Sequence, residues 1–284
     1  MMKTISAASL TLLLAGVASP ALAQSGPGLA APDWSGPYIG VYGGVLENNE
    51  DAGEALVFDR DFDGQFDDTV ILNGTTASAF SPGSCDGSAL GQAAENGCDL
   101  DPTGVEASVR IGYDMQFGAL VVGVVGELSG ADVEDSVTSF STTPAAYVFT
   151  RDLQNMAALR LRAGFAAGPA LYYVTGGGAQ AKVENSFRTT NGANSFTETV
   201  NDDKADGYQL GAGVEWRLAP NLSLTGEYLF TNLQPGDYVV RAGPGTAGPT
   251  NPFILPPNTT GTDIARGNDD MELHAIKIGM NVRF

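Results

Sequence analysis

The chain has 284 residues, is 43% hydrophobic with 37 Gly, and carries a net charge of −19. That acidity argues against nucleic acid as a partner, which needs a basic footprint. No run after the first residues approaches the roughly 20 apolar residues of a membrane helix, which excludes a helical membrane protein but not a strand-built one, whose alternating segments give weak hydropathy signals.

Residues 1–23 read as a cleavable signal peptide. Lys3 supplies the positive start, Ile5 to Val17 the short apolar run, and Ala21-Leu22-Ala23 the small-x-small cleavage pattern. Residues 24–33 form a Gly- and Pro-rich leader without predicted structure. The remainder, 34–284, is predicted to be one all-β domain.

The first strand is predicted over Trp34 to Leu46. It sets Ile39, Val41 and Val45 against Tyr38 and Tyr42, and the pattern leaves open which side faces out. An acidic segment follows at 47–104, with thirteen Asp or Glu against one basic residue, Arg60. It is too long and polar for a tight turn, and a solvated outer loop is its plain reading. The second strand, Val105 to Phe117, alternates most clearly. Val109, Ile111 and Tyr113 lie on one parity, and Glu106, Arg110 and Asp114 on the other. The third runs from Ala119 to about Asp132 with Glu127 on its polar face, and a second loop spans roughly 133–150.

The fourth strand, about Arg151 to Phe165, sets Leu159, Leu161 and Phe165 against Arg160 and Arg162. After a tight Ala-Ala-Gly-Pro turn, the fifth runs from Ala170 to about Phe187. It sets Leu171, Tyr173, Ala179, Ala181 and Val183 outward against Gln180, Lys182 and Glu184 inward. Gly176-Gly177-Gly178 lies mid-strand, where context excludes a phosphate loop and favours close packing or a bend. Asn191-Gly192 gives a hairpin signal in the third loop, 188–203. The sixth strand (about Ala205 to Leu218) carries Glu215 and Arg217, and the seventh (Leu222 to about Asn232) carries Glu227. A fourth loop occupies 235–270. The eighth strand, Leu273 to Phe284, alternates Ile276, Ile278, Met280, Val282 and Phe284 with Lys277 and Arg283.

Long connections thus alternate with short ones. That is the pattern of an eight-stranded antiparallel transmembrane β-barrel with short periplasmic turns and long extracellular loops. A lipocalin-like soluble barrel would carry its apolar residues inside. The charges favour the membrane form. The polar parity holds Glu106, Arg110, Asp114, Glu127, Arg160, Arg162, Lys182, Glu184, Glu215, Arg217, Glu227, Lys277 and Arg283, seven basic and six acidic residues. Near balance suits a paired interior, since unpaired charges there are costly. Tyr113, Phe117, Phe165, Tyr173, Trp216 and Phe284 form an expected aromatic girdle near the short turns.

Several stretches carry a family resemblance: Trp34-Ser35-Gly36-Pro37-Tyr38-Ile39-Gly40, Arg110-Ile111-Gly112-Tyr113-Asp114, Gly226-Glu227-Tyr228 and Asn281-Val282-Arg283-Phe284. Together they resemble the small outer-membrane proteins of alphaproteobacteria, the Omp25/Omp31-like porin family. The resemblance covers essentially all of the expected mature chain. It implies an OmpA-like barrel in the Gram-negative cell outer membrane, in contact with its lipids and with the barrel assembly machinery, for which Phe284 would end the assembly signal. It implies little about mechanism. The long first loop departs from the family pattern and weakens any carry-over of loop-borne binding.

Cys85 and Cys98 lie in that loop. In an exported chain this even, close pair reads as one disulfide, contributing about 3 kcal/mol by the loop-entropy model. Asp59, Asp61 and Asp63 at alternate positions, followed by Gly64 and Asp67, resemble half of a calcium loop. Val70 stands where such a loop needs its bidentate Glu, so a solvated acidic loop is the competing reading. The single histidine, His274, lies on the outward parity with no recognisable nucleophile beside it, and no catalytic residue is assigned. Eight strands leave a lumen just wide enough for side chains to fill. The favoured function is therefore envelope structure and surface interaction. A narrow porin for small solutes is the alternative, and an outer-membrane enzyme a second one.

Overall fold

The computed structural model describes residues 33–48, 54–267 and 270–284. The predicted signal peptide and all of the predicted leader but Asp33 lie outside the described residues. Among the described residues there are fifteen strands: β1 (Gly36–Asn48), β2 (Leu56–Asp59), β3 (Gly83–Asp86), β4 (Ser88–Ala89), β5 (Cys98–Asp99), β6 (Gly104–Phe117), β7 (Leu120–Ser141), β8 (Ala145–Ala167), β9 (Ala170–Thr189), β10 (Ser195–Asn201), β11 (Lys204–Ala219), β12 (Leu222–Pro235), β13 (Tyr238–Gly243), β14 (Thr262–Arg266) and β15 (Met271–Arg283).

Eight of them close a ring in the order β7-β6-β1-β15-β12-β11-β9-β8, with β8 returning to pair with β7. Every neighbouring pair is antiparallel. Ring closure removes the sheet edges that would otherwise expose unpaired backbone. Alternation sorts the side chains: on β6, Val105, Val109, Ile111 and Tyr113 are exposed while Glu106, Ser108, Arg110 and Asp114 are buried. The short turns between β6 and β7 and between β8 and β9 hinge on Gly118 (φ +64°) and Gly168 (φ +60°), a left-handed backbone that suits glycine.

The other end of the ring is built up. β7, β8 and β9 run 22, 23 and 20 residues, well beyond the 13 of β1 and β15. Most of the segment expected to be a loop at 133–150 is therefore strand, because β7 and β8 stay paired up to Ser141 and Ala145. The remaining long connections supply a second, four-stranded sheet in the order β10-β13-β14-β2. One face of that sheet packs on the extended β7–β8 hairpin, where Phe58, Val240, Ala242 and Ile264 meet Val137, Tyr147 and Phe149. Phe80, Phe196 and Phe253 surround Tyr147 with ring centroids 5.1–6.1 Å away. The acidic segment is thus a folded part of this outer layer. Within it, Cys85 and Cys98 are joined in a disulfide, with Cα atoms 6.1 Å apart.

Three expectations need correction. The fifth strand, β9, faces the other way: Leu171, Tyr173, Ala179, Ala181 and Val183 are buried inward, while Tyr172 and Val174 are exposed. Lys182 and Glu184 therefore sit on the outer surface, with side chains 49% and 58% exposed, and not in the interior. Tyr173 leaves the expected girdle for the same reason. Asn191-Gly192 does lie in a connection, but its two arms do not pair with each other; β9 pairs with β8 and β10 pairs with β13. Gly177 lies opposite Arg160, and a Cβ there would meet Leu159 O at 2.0 Å, so this mid-strand glycine serves close packing, whereas Gly178 has room for a Cβ.

Candidate functional site: the interior of the ring

With Lys182 and Glu184 outside and Arg217 half-exposed at the short-turn mouth, ten of the expected interior charges remain. Arg110, Arg160, Arg162, Lys277 and Arg283 face Glu106, Asp114, Glu127, Glu215 and Glu227, and all ten are buried. The balance is five against five. They form two tiers. In the middle tier Glu127 is the hub. Arg110 donates to it at 2.6 Å, Lys277 at 2.6 Å and Arg160 at 3.1 Å. Arg110 also grips both oxygens of Glu227, at 2.5 and 3.2 Å. Lys277 reaches Glu106 at 2.9 Å. Gln209 accepts from Arg160.

In the tier nearest the short turns, Arg162 donates to Glu215 at 2.5 Å and to Asp114 at 3.4 Å, and Arg283 donates to Asp114 at 2.8 Å. Ser223 donates to the other oxygen of Glu215 at 2.5 Å. Register explains the assembly. Arg110 lies directly across from Glu127 on β7, and Glu227 on β12 lies across from Lys277 on β15. Arg110 and Glu127 are thus bonded in register, while the tier nearest the short turns joins strands that are not neighbours, Arg162 on β8 with Asp114 on β6 and Glu215 on β11.

Aromatic rings complete the filling. The guanidinium carbon of Arg110 lies 3.9 Å from the centre of the Tyr42 ring, and that of Arg162 lies 3.9 Å from Tyr173. Tyr173 donates to Glu227 at 2.6 Å, and Tyr42 donates to Asn281 at 2.7 Å. Room for the rings comes from missing side chains: a Cβ on Gly112 would lie 2.3 Å from Tyr38, and one on Gly279 would lie 2.2 Å from Tyr42. At the mouth, Trp34 is fully buried, and Arg217 stacks 4.3 Å from its ring. Above the charged tiers, toward the outer layer, the interior becomes apolar. Leu46, Leu153, Met156, Val183, Leu229, Leu233, Met271 and Leu273 pack there with Ala179, Ala181 and Ala205.

Sequence pattern had placed the ten charges and had left the facing of Tyr38 and Tyr42 open. Alternation also set Gln209 and Asn281 on the polar parity, and both are buried; it missed Trp34 and Tyr173 as interior groups. A glycine opposite a tyrosine on the neighbouring strand was the available signal for Tyr38 and Tyr42.

In the acidic loop, the structure gathers Asp59 and Asp61 with Asp68, their carboxylate oxygens within 4.8 Å of one another. Asp63 and Asp67 of the expected set are not in this group. Asp59 accepts from the backbone N–H of Phe62 and of Gly64, and Asp68 accepts from that of Arg60. His274 lies at the outer end of β15, where its Nδ1 and the Tyr228 hydroxyl are 2.7 Å apart. The expected terminal aromatic, Phe284, is 73% exposed.

Residues 9–284 match the family described as the outer membrane protein beta-barrel domain. The chain belongs to that family. It is 26% identical over 188 residues to the 31 kDa outer-membrane immunogenic protein of Brucella melitensis, an alignment spanning 66% of this chain and 69% of that protein. It is 28% identical over 191 residues to the 22 kDa outer membrane protein of Rhizobium leguminosarum biovar viciae, spanning 66% and 70%. Among solved structures, OprG of Pseudomonas aeruginosa matches over 89% of this chain and 99% of its own, with a TM-score of 0.49 at 12% identity. The chain is an outer-membrane β-barrel protein, and its place is the cell outer membrane.

Outside the ring, a second charged group ties the layers together. Arg266 on β14 donates to Glu54 at 2.5 Å and to Asp135 on β7 at 3.0 Å. Asp101 accepts from the backbone N–H of Ser136 at 2.7 Å. Burial pushes its carboxyl up to about 7, Asp135 and Asp86 add to the rise, and the Ser136 N–H opposes it.

Two outcomes follow. Glu127→Gln leaves Arg110, Arg160 and Lys277 short of their shared acceptor and is expected to destabilise the refolded barrel by about 3–5 kcal/mol in urea. The double variant Glu127→Gln/Lys277→Gln is expected to cost less than the two single changes summed; strict additivity would refute the coupling. Asp101 holds its proton in the folded state while the unfolded chain ionises near its ordinary 3.8. The unfolded state therefore binds fewer protons between roughly pH 4 and 7, and outer-layer stability falls as pH rises through that window. Protease resistance of the outer layer should drop from about pH 5 to about pH 8, and Asp101→Asn, which keeps the acceptor, should flatten the profile.

Proposed function

We propose that this protein is an eight-stranded transmembrane barrel, closed along its length, that anchors a folded outer layer at the cell surface. Its work is then envelope structure and surface interaction, not solute passage. The observation that carries this reading is the filling of the interior. Two charge-neutral tiers, three tyrosines and Trp34 occupy the half nearest the short turns, and an apolar cluster occupies the other half. Each ring strand has at least 13 residues, and about 9–11 suffice to cross the hydrocarbon core. The exposed Ile39, Val41, Val109, Ile111, Leu159, Leu161, Ile276 and Ile278 then face lipid. On the same reading the described residues from 34 onward are one barrel domain that follows a signal peptide and leader, and Phe284 ends its assembly signal. Lipids and the assembly machinery are its expected partners.

The narrow porin is the competing reading, and planar-bilayer conductance of the refolded mature protein separates the two. A plugged barrel is silent. Removing one cation from each charged tier with Arg160→Gln and Arg162→Gln is expected to leave it silent, because the apolar cluster still seals the path. Steady single-channel conductance in the wild type would transfer the assignment to the porin. The enzyme reading has less support, since His274 has a tyrosine hydroxyl as its partner and an outward position.

For the acidic loop we propose calcium. Hard cations favour carboxylate oxygens, and Asp59, Asp61 and Asp68 bring three carboxylates within 4.8 Å of one another. Calorimetry on the folded barrel should show binding heat at millimolar calcium that is lost in Asp61→Asn/Asp68→Asn. No heat in the wild type removes the site.

A further inference from the structure

A cleft of about 590 Å³ opens at the edge of the outer sheet, lined by Val57, Val239 and Ala265 on the face opposite its aromatic core and by Phe149 and Tyr238 of that core. The floor is apolar and low. Val57 on β2 lies directly across from Ala265 on β14, and Val239 on β13 continues the surface. One end is polar. Asp59 and Asp263 are opposed in register on β2 and β14, and Arg241 on β13 is opposite Asp263 in turn. Two acids facing each other across a strand pair would repel. Here Arg241 holds Asp263 through two hydrogen bonds of 2.6 Å, while Asp59 is held by backbone N–H groups. The Arg241 guanidinium lies 3.9 Å from the centre of the Phe62 ring, which fixes its plane. Phe66 and Asp237 border the opening.

The lining carries Arg151, Arg241 and Arg266 against Asp59, Asp237 and Asp263, three charges of each sign. An electroneutral lining offers no net attraction to an ion. It does offer both donors and acceptors in fixed planes beside a flat apolar floor. That combination matches one ligand chemistry well: a neutral pyranose, with C–H groups on one face of the ring and hydroxyls around its edge. A purely apolar ligand would desolvate the carboxylate–guanidinium edge without replacing its water contacts. We propose that this cleft is a saccharide-binding site for one or two neutral hexose units, with Arg241 and Asp263 reading the hydroxyl edge and Val57, Val239 and Ala265 seating the ring face. The inference rests on the outer sheet being displayed at the cell surface. It does not depend on whether the barrel conducts, and the sugar experiment is run without added calcium because Asp59 belongs both to the cleft and to the acidic loop.

Saturation-transfer NMR on the refolded, detergent-solubilised mature protein tests it, with cellobiose, maltose and N,N′-diacetylchitobiose as probes. At least one of the three is expected to receive saturation from the wild type. Ala265→Phe fills the floor yet keeps the Arg241–Asp263 pair, and Arg241→Gln removes the fork. Each should weaken the responding sugar by about tenfold or more. Heat-modifiable gel mobility reports whether each variant has folded, and the result from either folded variant decides. Transfer to none of the three sugars overturns the proposal. So does transfer that a folded variant leaves unchanged, or transfer to glucose 6-phosphate or a triarginine peptide in place of the neutral sugars. Conductance is read separately on the same preparation, so failure of the sugar site and failure of the closed-barrel reading are told apart.

Discussion

Ten charges sealed inside a ring of strands can persist only by neutralising one another. The cost of stranding a single one is several kcal/mol, and that constraint shapes much of the rest of the molecule. It fixes strand register, because Arg110 must face Glu127 across β6 and β7 while Glu227 faces Lys277 across β12 and β15. It also fixes where glycine is needed, because the tyrosines that cover the guanidinium faces take up the volume of absent side chains at Gly112 and Gly279. A slip of one residue in β6 or β15 would carry its charges to the outer face and its isoleucines inward, so the network is a register lock.

The interior changes character along the axis, and that change governs how far the sequence could be read. β6, β12 and β15 cross the charged half, where polar means inward, and their faces were legible from alternation alone. β9 contributes none of the ten charges, although like β12 and β15 it runs on into the apolar half. Both its parities carry hydrophobic residues, Tyr172 and Val174 on one side and Leu171, Tyr173, Ala179, Ala181 and Val183 on the other. Polarity of the alternate residues then points the wrong way, because Lys182 and Glu184 lie beyond the stretch that needs an apolar exterior. Trp34 was hidden for a different reason: it precedes its strand and folds back over the mouth, a contact that no periodicity encodes.

The outer layer was nearly illegible. Its strands are 4–7 residues long and pair across large sequence separations, as β2 does with β14. Acidic composition suggested solvated loops, and the aromatic residues that organise the core, Phe58, Phe80, Tyr147 and Phe253, are spread over three separate connections. The acidic loop shows the same limit. Spacing found Asp59 and Asp61 but not Asp68, which arrives through the bridge between Phe58 and Asp68.

The outer sheet also couples segments that a barrel usually leaves independent. β2 comes from the first long connection, β10 from the third, and β13 and β14 from the fourth, while the second supplies the hairpin beneath them. In most barrels each surface loop can be replaced without regard to the others. Here a change in one alters a strand, a core contact or an edge that the other three rely on. Exchanging one connection for that of a relative therefore transfers a fragment of a fold instead of a self-contained loop.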